Sequence, residues 1–213
     1  MLYGQFPSPP FSKVKYILDR YGVQYTTISS TKKDSDYKKI PVLVIGGKQI
    51  NDSQIIATIL AKVFEGVEYS PAELEIEKLN TTELMIACEV YVMDSTPELQ
   101  RCGNATGGCS GAILCCLACC IPCFGVSKGP RAKFPNLRSV LLIAKDYAER
   151  LGDKKYFHGD TCGVIDCSLF GILIPFQKSK SATFRDFVSV DSLREWHLRM
   201  ASSNVQKVLN HST

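Results

Sequence analysis

The chain has 213 residues, enough for one domain or for two small ones sharing an interface. Hydrophobic residues make up 45% and charged residues 22%, ordinary globular values that exclude wholesale disorder and fibrous repeats. The net charge of +4 is small and scattered, and no basic stripe interleaved with aromatics appears, so nucleic acid is not an expected partner. The opening MLYGQF shows no basic leader with an apolar run and cleavage site. Secretion is therefore not expected, and a cytoplasmic location is. A disulfide framework is then the wrong default for the ten cysteines.

Leu2 to Phe6 reads as a short strand broken by Pro7-Ser8-Pro9-Pro10. Val14, Ile17, Leu18 and Tyr21 recur at the spacing of one helix face, and Gly22 suits a helix end. Gln24 to Ser29 is β-branched and aromatic, as a second strand would be. Pro41 to Ile45 reads as a buried strand that turns at Gly46-Gly47 and returns through Lys48-Gln49-Ile50. Asp52 or Ser53 then caps a helix carrying Ile55, Ile56, Ile59, Leu60 and Val63. The order β-α-β-β-β-α is that of a thioredoxin-like domain.

The remainder is helical. Pro71 to Asp94 reads as one helix, and Leu137 to Leu151 as a clean amphipathic one. Asp166 to Phe176 is almost wholly apolar, as a central buried helix would be. Leu193, Trp196 and Met200 mark a last amphipathic segment. The boundary between the two parts is expected near Glu65 to Pro71.

Several ordered motifs resemble the glutathione-transferase family. They are Leu2-Tyr3, Ser8-Pro9, Ser12-Lys13-Val14, Leu18-Asp19, Tyr37-Lys38-Lys39-Ile40-Pro41-Val42-Leu43 and Ile50-Asn51-Asp52-Ser53. Near the C-terminus Tyr156-Phe157-His158-Gly159-Asp160, Asp166, Gly171, Leu173 and Trp196-His197-Leu198-Arg199 continue the match. Among the family's branches, that of the membrane-associated prostaglandin E synthases of type 2 is most similar. The resemblance covers roughly residues 1 to 66 and 135 to 200. It implies an α+β architecture: a thioredoxin-like glutathione-binding domain at 1–66, then an all-helical glutathione-transferase C-like domain at 67–213. A Cys-rich apolar insertion would occupy 102–126.

The resemblance also implies a site. Glutaredoxin-like members place Cys-Pro-Phe-Cys at the first turn, where helix N–H groups stabilise a thiolate. This chain has Ser8-Pro9-Pro10-Phe11 there, and no cysteine precedes Cys88, so dithiol exchange in this domain is excluded. In the family a serine at this position donates a hydrogen bond to the thiolate of glutathione; the plain alternative is that Ser8 only caps the helix. Tyr3 and Ser12 are the other hydroxyls offered for that role. Ile40-Pro41 resembles the family's cis-proline turn, whose backbone pairs with the cysteinyl part of glutathione. Asp52 and Ser53 match residues that hold the γ-glutamyl end, and simple capping is again the alternative. Lys13 and Lys39 read mainly as solvated surface lysines within reach of glutathione carboxylates. Asp166 reads as a structural capping residue with Gly163 in place of the usual cap, and Thr161 as its substitute. His158 and His197 read as loop or surface histidines.

Ala112 to Val126 carries no charge and contains Cys115, Cys116, Cys119, Cys120 and Cys123. As a helix it would be about 22 Å long, short of the ~30 Å hydrocarbon core, and Pro122 interrupts it. Lys128, Arg131 and Lys133 follow and would suit an anionic membrane surface. Four readings stay open: S-acylation or interfacial insertion, burial as small hydrophobes, a zinc or iron–sulfur site, and redox or disulfide chemistry.

The expected function is a glutathione-dependent transfer or isomerisation acting on a small hydrophobic electrophile, with prostaglandin-endoperoxide isomerisation implied by the branch. A homodimer and peripheral association with an intracellular membrane belong to the same expectation. The competing reading is an inactive protein of the same fold, tethered to a membrane through the cysteine run and used for interaction as in metaxin-like relatives.

Overall fold

The computed structural model describes residues 1–32, 35–106 and 135–210. The cysteine run from Cys115 to Cys123, with the four readings attached to it, lies outside the described residues. The first part of the chain builds a four-stranded sheet of order β2-β1-β3-β4, from β1 (Leu2–Tyr3), β2 (Thr27–Ile28), β3 (Val42–Ile45) and β4 (Lys48–Asn51). β2 runs parallel to β1, whereas β3 is antiparallel to both β1 and β4. Helix α1 (Pro9–Arg20) follows β1, and α2 (Ser53–Glu65) follows β4. This is the expected β-α-β-β-β-α order.

β1 is shorter than the sequence predicts. The chain leaves the sheet at Gly4, with φ +148°, where a Cβ would fall 2.4 Å from a ring carbon of Phe11. Only glycine lets the loop turn there over the buried ring. β2 likewise shrinks to two residues, with its side chains exposed or half-exposed.

The second part is helical: α3 (Pro71–Leu79), a π-helical segment (Asn80–Leu84), α4 (Met85–Asp94), α5 (Thr96–Thr106), α6 (Val140–Leu151), α7 (Val164–Lys178), α8 (Ala182–Phe187) and α9 (Asp191–Asn210). The stretch expected to be one helix from Pro71 to Asp94 is thus interrupted by the π-turn. That turn places Asn80 fully inside, where its amide oxygen accepts from Tyr147 Oη at 2.7 Å. Ser70 opens α3 with a reciprocal cap involving Glu73.

α7 is the central helix, with every residue from Val164 to Leu173 buried. It lies along α1, and the contact is backbone-close at Gly171. Around its other side Tyr147, Phe157, Phe187 and Trp196 pack edge-to-face at ring separations of 5.6 to 5.9 Å. Asp166 pins this cluster. Its Oδ1 accepts from Phe157 N and Trp196 Nε1, both at 2.8 Å, and its Oδ2 accepts from Gly163 N at 3.1 Å and His158 N at 3.2 Å. Four donors engage both oxygens, so Asp166 holds a loop and two helices together.

Two polar residues sit differently from the sequence reading. Lys13 is no surface lysine: it is 1% exposed and its Nζ pairs with Glu77, itself fully buried. His197 is 7% exposed, stacked on Phe170 at 5.0 Å, because α9 turns that face onto α7. His158 stays in the exposed loop before α7, as the sequence reading expects, and its Nδ1 lies 2.7 Å from Glu73 Oε1. No cap side chain stands at Gly163 because the His158 ring fills the space: a Cβ there would lie 2.5 Å from His158 Cγ. Among the described residues, no helix is long and apolar enough to cross a membrane.

Candidate functional site at one end of the sheet

The register places the candidate residues. Tyr3 pairs with Val42 across β1 and β3, and Val42 pairs with Asn51 across β3 and β4. These three form one row, so the segments that continue from it leave the sheet at the same end. They are the loop running to Ser8, the turn at Ile40-Pro41, and Asp52-Ser53 at the start of α2. Residues up to 50 positions apart thereby converge without being neighbours in sequence.

Ser8 is the N-cap of α1, in extended backbone, and its Oγ accepts from Phe11 N at 3.5 Å. The long bond is all the cap requires, and the hydroxyl proton stays available to an outside acceptor. Two prolines follow without displacing the turn, since Pro9 and Pro10 occupy positions whose N–H groups would lack helical partners anyway. Phe6-Pro7 and Ile40-Pro41 are both cis. The second is cis as the sequence reading expects; the first has no counterpart in that reading. Tyr3 is half-buried in the sheet. Ser12 is 5% exposed, with its carbonyl facing α7 at Gly171.

Asp52 is the one strained residue of the three segments. Its φ of +71° with ψ +127° is a conformation that side-chain-bearing residues rarely adopt. The carboxylate accepts from Gln54 N at 2.8 Å and Ile55 N at 3.4 Å, which holds it over the positive end of α2. Ser53 begins the helix and is 6% exposed. Tyr37, absent from the sequence reading as a site residue, stands beside this pair. Burial raises its phenol above the ordinary value and the Asp52 carboxylate adds to the rise, while a bond from the Asp52 backbone opposes it. Lys39 is exposed, as expected.

Next to the first turn of α1 a cavity of about 690 Å³ opens between α1 and the C-terminal half of α7. Phe6, Phe11, Tyr16, Phe170 and Ile174 give it apolar walls. Lys15 and Lys178 stand at its polar side; Lys15 is tied to Asp19 at 2.6 Å, and Lys178 Nζ lies 5.0 Å from the centre of the Phe6 ring. A pocket between Ser8, Pro41 and the helical part is the sequence expectation; Pro41 is not among the lining residues, and the walls themselves come from helices some 150 residues apart, which no local pattern connects. Among the described residues no group of three or more His, Cys, Asp or Glu side chains is placed to hold a metal ion.

Residues 145–200 match the family model of the glutathione S-transferase C-terminal domain. Among solved structures the chain is similar to glutathione S-transferase III in its apo form, at 17% identity and TM-score 0.64, over 98% of this chain and 94% of that one. A glutathione S-transferase of Ceriporiopsis subvermispora in complex with glutathione is 22% identical, at TM-score 0.54 over 95% of each chain. A diazinon-metabolizing glutathione S-transferase of the silkworm Bombyx mori is 16% identical, at TM-score 0.57 over 93% of this chain and 88% of that one. No curated protein matches the chain. The chain therefore has the glutathione S-transferase fold, a thioredoxin-like unit followed by an all-helical one.

Proposed function

We propose that this protein binds glutathione and uses it in a transfer or isomerisation on a small hydrophobic electrophile, with residues 1–66 as the glutathione domain and 67–213 as the helical domain. The observation that carries the reading is the convergence of Ser8, Ile40-Pro41 and Asp52-Ser53 at one end of the sheet, with Asp52 held at φ +71°. Strain of that kind costs about 1–3 kcal/mol and persists where a site over-determines it.

The residues fit the tripeptide. The Asp52 carboxylate would meet an ammonium, and the Ser53 hydroxyl with the α2 N-terminus would meet a carboxylate. The backbone of Ile40, before the cis proline, would pair with the central peptide unit. Glutathione would supply a thiol nucleophile. Ser8 would donate its hydroxyl hydrogen bond to the sulfur and favour the thiolate, helped by the partial positive charge at the start of α1. The apolar walls of the adjoining cavity would hold the electrophile and exclude water, and Lys15 and Lys178 would face any acidic group it carries. Prostaglandin-endoperoxide isomerisation is the specific reaction to assay first. The glutathione-bound Ceriporiopsis relative supports the ligand rather than the acceptor.

Calorimetric titration with glutathione tests the site. Binding at micromolar to millimolar affinity that weakens in Asp52→Ala is the expected outcome. Absence of binding in the unsubstituted protein overturns the reading.

A further inference from the structure

Cys162 and Cys167 bracket the start of α7. Gly163 is the N-cap, so Cys162 stands immediately before the cap and Cys167 is the fourth helical residue. These are the two positions at which apolar side chains clasp across a helix start and fix the entry of the chain. Here both members of the clasp are cysteines, and their sulfurs lie 3.8 Å apart. Both are free thiols.

We propose that this pair is an oxidation site, at which a small peroxide converts the sulfur clasp into an intramolecular disulfide. The two sulfurs need to approach by roughly 1.8 Å to reach the ~2.05 Å of a disulfide bond. Cys162 precedes the helix on a loop, so the movement falls there and not within α7. The roles of the two thiols differ by position. Cys162 is half-buried and open to a small oxidant, whereas Cys167 is fully buried. The neighbouring Cys162 and burial also push the Cys167 thiol well up, which leaves Cys162 as the sulfur that attacks the peroxide first.

In the first step Cys162 Sγ attacks one peroxide oxygen. The O–O bond breaks, one water leaves, and Cys162 becomes a sulfenic acid. In the second step Cys167 Sγ attacks Cys162 Sγ. The S–O bond breaks, and hydroxide departs with the Cys167 proton as a second water. Two thiols and hydrogen peroxide thus give one disulfide and two waters. The ring so closed encloses Gly163, Val164, Ile165 and Asp166, the residues that carry the helix cap. Oxidation would lock the turn from which Asp166 holds Phe157 and Trp196.

Trypsin releases residues 156–178 as one peptide whose two cysteines are these. The full-length protein is treated with hydrogen peroxide, unfolded, alkylated and mapped by mass without reduction. The expected peptide carries no alkyl label, is two hydrogens lighter than the dithiol, and takes two labels after reduction. In Cys167→Ser the expected product is a Cys162 sulfenic acid trapped by dimedone. Two labels after peroxide treatment overturn the proposal. So does a sulfinic acid at Cys162 beside a labelled Cys167, or a bridge from this peptide to another cysteine. No step involves glutathione, so the outcome is independent of the glutathione site.

Discussion

A Cβ built on Gly171 would stand 2.6 Å from the Cα of Lys13. That single approach sets how α1, which carries Ser8, lies against the central helix α7. The next contacts are also main chain, Ser12 O at 3.0 Å and Lys13 N at 3.1 Å, so no side chain can swing aside to make room.

Gly171→Ala measures the consequence. Alanine would normally stabilise a helix interior by up to about 1 kcal/mol over glycine. Here the backbone clash outweighs it, since overpacking typically costs about 1–3 kcal/mol. Urea unfolding should show a net loss of stability; an unchanged or raised midpoint would show that α1 and α7 separate freely.

The buried Lys13–Glu77 pair gives a second prediction. Ser168 Oγ donates to Glu77 Oε2 at 2.6 Å, and Asn80 joins the same cluster. Lys13→Met leaves Glu77 charged and unpaired, with an expected loss of about 3–5 kcal/mol. Adding Glu77→Gln removes the charge while keeping an acceptor for Ser168, and the double variant should recover most of that loss. A double variant as unstable as the single one would refute the account.

Gly163→Ser should destabilise, although serine is a better cap than glycine by a few tenths of a kcal/mol. The His158 ring already occupies the space, at 2.5 Å from the added Cβ. The expected loss is about 1–2 kcal/mol, in the range of overpacking. Combining it with His158→Ala should return part of the loss in thermal unfolding, and purely additive effects would show that the ring is not the obstacle.

The two histidines give stability opposite pH dependences. Burial lowers the His197 pKa below the ordinary 6.5. As pH falls through about 6.5 the unfolded chain takes up that proton and the folded one resists, so stability is lost on the acid side. Burial also disfavours charged His158, but its bond to Glu73 and the charges of Glu65, Glu73 and Asp166 raise its pKa above 6.5. Its contribution is complete below 6.5 and is lost as pH rises through the folded value. Melting curves over about pH 5 to 8 should therefore show His197→Phe reducing the acid loss and His158→Gln reducing the loss at higher pH. Parallel curves for all three proteins would contradict both assignments.

At the candidate site, Ser8→Ala should lower the rate of glutathione conjugation to a model aromatic electrophile by about 10- to 100-fold, the worth of one hydrogen bond to a charged group. Retained binding of glutathione would separate the role in thiolate formation from a role in affinity. An undiminished rate would leave Ser8 as a cap only.

Local patterns made much of this legible. The apolar spacing of Val14, Ile17 and Leu18, the Gly46-Gly47 turn and the apolar run after Asp166 each betray their element within a few residues. The site was legible only as separate motifs, because the sheet register that aligns Tyr3, Val42 and Asn51 is a long-range property. Lys13 reads as a surface residue for the same reason: its partner Glu77 lies 64 residues away, and nothing beside a lysine in sequence announces a buried counter-ion. Tyr37 and the cavity walls depend on packing between segments that no periodicity connects.

The Lys13–Glu77 pair also bears on where the chain can be cut. One charge belongs to the sheet-containing half and the other to the helical half, and each is neutralised inside the other's territory. Glu65, at the end of α2, adds a second tie by accepting from both Tyr21 Oη and Val164 N. Severing the chain between Glu65 and Pro71 would return both charges to water and uncover apolar surface on each side, such as the Tyr16 and Phe170 rings that meet at 4.7 Å between α1 and α7. Expressed alone, residues 1–66 should therefore be less stable than the same residues within the whole chain, and urea unfolding of the two side by side measures the difference.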